Sequence, residues 1–132
     1  MYREILNQLA EWKDKEDRRV LLLAGGKGVG KSYTLSDFGA GFFTNTCMFD
    51  FKEQEYVKYL FEGELDKNVI LKKLSISCGE TLVPGETLLV FENVDMLENA
   101  NSIVKYICDE LPEYHVAITL MRLEENFLKA HK

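Results

Sequence analysis

Residues 25–32 read Gly25-Gly26-Lys27-Gly28-Val29-Gly30-Lys31-Ser32, which has the spacing G-x-x-x-x-G-K-[ST]. Residue types in this order suit one kind of chemistry, the cradling of a polyphosphate by main-chain N–H groups. Gly25 and Gly30 permit backbone dihedrals that a side chain would forbid and let the chain approach phosphate closely. The Lys31 ammonium would meet the β- and γ-phosphates, and the Ser32 hydroxyl would ligate Mg²⁺. Tyr33 completes the segment expected to line the nucleotide. A chance glycine turn is the competing reading, and the flanks decide against it. Val20-Leu21-Leu22-Leu23-Ala24 is a short continuous apolar run, as expected of a buried parallel strand. After the loop, Tyr33-Thr34-Leu35-Ser36-Asp37-Phe38 continues as helix until Gly39 and Gly41 stop it. Strand, loop and helix N-terminus together make an anion site, so the expected ligand is a nucleotide polyphosphate.

A second chemical signal ends the run Thr87-Leu88-Leu89-Val90-Phe91, which continues Glu92-Asn93-Val94-Asp95. In nucleotide hydrolases such a strand ends in an acid that holds Mg²⁺, often followed by a Glu that activates water. Glu92 can hold the metal or its water, since Mg²⁺ takes oxygen ligands. Asn93 stands where the water-activating Glu is expected, so the catalytic candidates are Lys31 and the degenerate position Asn93. An amide orients water by hydrogen bonding but cannot take its proton. Asp95, two residues further along the same strand face, is the next candidate for the base. The plainer reading is a strand end with solvated acids, and the phosphate loop upstream weighs against it.

The elements that must position these residues follow from the apolar pattern. Tyr2, Ile5, Leu6, Leu9 and Trp12 recur at helical spacing, giving an amphipathic helix over 2–12 and a charged connector over 13–19. Asn45 and Thr46 are read as turn residues before a strand over 47–51. Helices suit 53–62 and 66–74, the second capped by Asp66. Pro84-Gly85 marks a turn before the strand at 87–91. Ile103, Val104, Ile107 and Leu111 make one face of a helix over 102–111 that Pro112 ends, and 116–120 is a fourth strand. Alternating strands and helices imply an α/β fold: a parallel sheet of about four strands flanked by helices, in one domain over 1–132.

Composition narrows the classes. A chain of 132 residues, 46% hydrophobic, can build one core and not two. The net charge of −6, with basic residues scattered, does not indicate a nucleic-acid footprint. No apolar stretch is long enough to span a membrane, and residues 1–4 open an amphipathic segment, so a cytoplasmic protein is expected. Cys47, Cys78 and Cys108 show no zinc-like spacing to each other or to His115 and His131, and are expected as reduced thiols. His115 opens an apolar run and is expected in the core or at a strand edge.

From Leu6 to Val116 the chain resembles the AAA-type P-loop ATP-binding proteins of prokaryotes that usually carry a C-terminal nuclease-like domain. The landmarks are Leu9-Ala10-Glu11-Trp12-Lys13, the glycine loop, Phe38-Gly39, Pro84-Gly85-Glu86-Thr87-Leu88 and Pro112-Glu113-Tyr114-His115-Val116. The resemblance implies a P-loop ATPase fold, ATP with Mg²⁺, Lys31 and Ser32 as phosphate and metal ligands, and Glu92 at the place of the metal-binding Asp. The family's third strand typically ends Phe-Asp-Glu-Ile-Gln, so Asn93 replaces its Glu. Its fourth strand typically ends Gly-Ser, and Leu120 and Met121 stand there instead. The lid helices, a further strand and the C-terminal domain have no counterpart in residues 122–132, and no arginine finger stands out. Arg122 is the only arginine after Arg19.

Two readings remain. One is a module that binds Mg·ATP and hydrolyses it weakly or not at all. The other is an active motor or switch domain, completed in trans by a second copy, a partner protein or the rest of a longer chain. Loss of a general base typically costs about 10²–10⁴ in rate, and loss of an arginine finger about 10³–10⁵. These magnitudes favour the module. A small-molecule kinase is disfavoured because it needs arginines on a lid.

Overall fold

The computed structural model describes residues 2–14, 20–24, 31–53, 59–63 and 65–121. The phosphate loop at 25–30, the side chains of Lys31 and Ser32, the connector at 15–19, residues 54–58 and the tail from Arg122 lie outside what is described. The elements run α1 (Tyr2–Asp14), β1 (Leu21–Ala24), α2 (Lys31–Phe42), β2 (Asn45–Asp50), α3 (Lys67–Cys78), β3 (Thr87–Glu92), a 3-10 turn (Val94–Met96), α4 (Ala100–Glu110) and β4 (His115–Leu120).

The four strands form one sheet in the order β1-β4-β3-β2, every pair parallel. Parallel strands need crossovers, and the helices between them supply these and cover both faces. Every residue of β3 and of β4 is buried, which is why both read as mainly apolar runs. Side chains alternate between the faces. Cys47, Phe49, Leu89, Phe91, Val116 and Ile118 pack with Ile70 and Leu74 of α3 and with Ile103, Val104 and Ile107 of α4. On the other face Leu88, Val90 and Ala117 pack with Leu9 of α1 and with Leu35 and Phe38 of α2.

Local rules account for several boundaries. Asp66 caps α3, its Oδ1 accepting from the backbone N–H of Asn68 (2.9 Å) and Val69 (3.2 Å). The helix runs past 74 to Cys78, where Gly79 at φ 71° closes it through its N–H to the Ser75 carbonyl. His115 begins β4 as a core residue, its Nε2–H donating to the Lys13 carbonyl (2.9 Å) between the rings of Trp12 and Phe43.

Other expectations are corrected. Gly39 and Gly41 do not stop α2, which runs through both to Phe42. Gly39 is where the helix lies against β2, and a Cβ there would overlap the Thr46 side chain. Asn45 and Thr46 belong to β2, because the Asn45 Oδ1 accepts from the buried Thr87 hydroxyl (2.6 Å) and its Nδ2 donates to the Thr81 carbonyl (3.0 Å). The described ends of the helix expected over 53–62 are a turn at 51–53 and a 3-10 turn at 59–61. Cys47 of β2 and Cys78 of α3 are joined as a disulfide with Cα atoms 5.7 Å apart, so the expectation of three reduced thiols fails; Cys108 is outside this pairing.

Candidate functional site

Because all four strands are parallel, their C-terminal ends lie along one edge, the place where open α/β sheets bind ligands. Ala24 ends β1 and pairs in register with Leu120 of β4. Lys31 and Ser32 open α2, so the 25–30 loop joins the end of β1 to a helix N-terminus. Tyr33, in the first turn of α2, is 69% exposed.

Glu92 ends β3 and is buried, in register with Asp50 at the end of β2. The next row inward pairs Phe91 with Ile118, so Thr119 of β4 continues the row of Glu92 and Asp50. Strand alternation puts Glu92 on the face of Leu88 and Val90, Asp50 on that of Met48, and Thr119 on that of Ala117. All three therefore lie on the side of the sheet that α2 covers. A buried carboxylate at this edge and face is a hard oxygen donor of the kind Mg²⁺ takes, so Glu92 fits the metal expected there. No cluster of three or more His, Cys, Asp or Glu that could hold a metal by themselves forms among the described residues.

Asn93 leaves the strand in a left-handed conformation, φ 58° and ψ 41°, which Asn tolerates better than most residues. Its backbone N–H donates to Thr119 Oγ1 (3.0 Å), and its Nδ2 donates to Asp50 Oδ1 (2.8 Å). Residue 93 thus ties the end of β3 to the strands on either side of it. Asp50 Oδ1 also accepts from the N–H groups of Lys52 (2.9 Å) and Glu53 (3.4 Å).

Asp95 is not on the strand face where the sequence suggested a base. The strand ends at Glu92, Asp95 lies in the 3-10 turn, and its Oδ1 accepts from the Met121 N–H (2.8 Å). That bond fixes how the chain leaves β4. Leu120 is buried and points to the α3–α4 side, so it supplies the core.

Sequence reading missed Asp50 and Thr119. Each is a polar residue at or near the end of an apolar strand, the same signal that drew attention to Glu92. What the sequence does not carry is their partner: Asn93 lies 43 residues from Asp50 and 26 from Thr119.

The sequence profile of a family described as an AAA domain matches residues 17–120, most of the chain, and the chain belongs to that family. That membership implies nucleotide binding through the P-loop. No curated protein matches the chain. No described helix is long and apolar enough to cross a membrane.

Proposed function

We propose that this AAA domain binds Mg·ATP through residues 25–33 and, alone, hydrolyses it slowly at most. Gly25 to Gly30 would wrap the phosphates with main-chain N–H groups, and Lys31 would neutralise the β- and γ-phosphates. Ser32 and Glu92 would hold Mg²⁺, which would offset the charge that develops on the phosphate oxygens. The observation that carries the reading is the pairing of an unbroken phosphate-binding sequence with an amide at residue 93. Binding needs only the loop, the helix N-terminus and the metal ligands. Turnover also needs a group that takes a proton from water, and Asn93 cannot.

Calorimetric titration with ATP and Mg²⁺, run beside a phosphate-release assay, tests the proposal. Saturable binding with slow release supports it. Release at an ordinary enzymatic rate, about 1 s⁻¹ or faster, would replace it with the active motor or switch domain.

A further inference from the structure

Residue 93 carries an amide, but the hydrogen bond it makes leads to a carboxylate. Strict alternation would send the side chain after Glu92 to the α3–α4 side of the sheet. The left-handed turn at Asn93 breaks that alternation and brings its Nδ2 to Asp50 Oδ1 at 2.8 Å, on the α2 side. Asp50 Oδ1 also accepts from the N–H groups of Lys52 and Glu53, bonds that cap the turn that follows β2. Either Asp or Asn makes such a cap. The bond to Asn93 spans two strand ends and joins an amide to a carboxylate at the expected base position. Asp50 is also in register with Glu92, the candidate metal ligand.

We infer that the water-activating carboxylate of this site stands on β2 and not on β3: Asp50 is its general base, and Asn93 is the positioning residue that holds it. The inference rests on the Mg·ATP reading above. In the step, the water oxygen bonds to the γ-phosphorus while the bond from that phosphorus to the β,γ-bridging oxygen breaks. ADP leaves with the electron pair, and the water's proton passes to the Asp50 carboxylate and on to solvent. Asp50 belongs to β2, which lies beyond β4 and β3 from the strand that feeds the phosphate loop. Its side chain is also one methylene shorter than a Glu. Both features accord with slow turnover.

Asp50→Asn separates chemistry from structure, because Asn keeps the turn cap and the side-chain size and removes only the proton acceptor. Phosphate release at saturating Mg·ATP should fall at least about tenfold, with ATP affinity and thermal midpoint unchanged. The double variant Asp50→Asn/Asn93→Glu restores an amide–carboxylate pair with its polarity reversed, and should release phosphate faster than Asp50→Asn alone. Three results would each overturn the inference while Mg·ATP still binds: release by the parent chain at background, release unchanged in Asp50→Asn, or no recovery in the double variant. Failure of the parent chain to bind Mg·ATP in calorimetry would instead bring down the nucleotide reading, and the base assignment with it.

Discussion

Two glycines two residues apart in α2 should respond to alanine with opposite signs. At Gly39 an added Cβ would overlap Thr46 Oγ1 and stand 3.0 Å from both Thr46 Cβ and Cγ2. Rotating Thr46 can turn its hydroxyl and methyl aside, but its Cβ is fixed by the β2 backbone and would still stand 3.0 Å from the added atom. Relief therefore requires α2 to back away from the sheet, across the contact made by Leu35 and Phe38. Overpacking of this kind costs about 1–3 kcal/mol, and the better helix propensity of Ala returns about 1 kcal/mol. Since three atoms of Thr46 are involved, Gly39→Ala should be net destabilising by about 1–2 kcal/mol, a fall in Tm of roughly 3–8 °C for a chain of this size. Gly41 is exposed and has nothing within 4 Å of its Cβ position. Gly41→Ala should therefore gain about 0.5–1 kcal/mol. Denaturant melts of the two variants beside the parent test this, with Gly39→Ala/Thr46→Ala expected to recover part of the loss. A Gly39→Ala variant as stable as Gly41→Ala would refute the packing argument.

Alkylation of the denatured, unreduced protein should modify one thiol, Cys108, and reduction should lower stability by about 3–4 kcal/mol for a loop closed over a separation of 31 residues; three modified thiols would contradict the pairing. Asp66→Ala should cost about 1 kcal/mol through loss of the α3 cap, and Asp66→Asn much less; equal losses would show that the side-chain oxygen is not what matters. The third prediction concerns pH, through Lys67 and Glu113, which are 2.7 Å apart. Burial pushes the Glu113 carboxyl up, but its hydrogen bond with Lys67 and a backbone bond outweigh this and hold it below the usual carboxylate range. The same hydrogen bond raises the Lys67 ammonium. Stability from Glu113 is thus present above the unfolded carboxylate value and lost as pH falls through the folded one. That from Lys67 is present below the unfolded lysine value and lost as pH rises through the folded one. The side chains are 39% and 34% exposed, so the effect is small and weakened by salt. Glu113→Gln should make the acid limb of a stability-versus-pH curve shallower, and an unchanged slope would count against the pair.

The parts of the fold legible in the sequence are those decided by burial or by a local partner. β3 and β4 are buried at every position and show as apolar runs, and the Asp66 cap bonds two and three residues away. The misreadings arose where a distant neighbour overrides a local signal. Gly39 looks like a helix stop because the reason for its missing side chain, Thr46, lies on the next strand. Asn45 looks like a turn residue because its partner Thr87 is 42 positions away. The disulfide has the same origin, since only the packing of α3 against β2 brings Cys47 to Cys78. In the site, Glu92 is legible from the strand that it ends. Asp50 becomes recognisable only once β2 lies beside β3 and the left-handed turn brings Asn93 across.

Nucleotide binding at the loop before α2 can be checked by one comparison of ligands. Calorimetric affinities for Mg·ATP and for adenosine should be measured on the parent chain and on Lys31→Ala. The Lys31 ammonium would meet phosphate and not base, so its removal should weaken ATP by at least about 1.4 kcal/mol, tenfold in Kd, and leave adenosine unchanged. Equal losses for both ligands, or a parent chain that binds neither, would contradict polyphosphate binding at this loop.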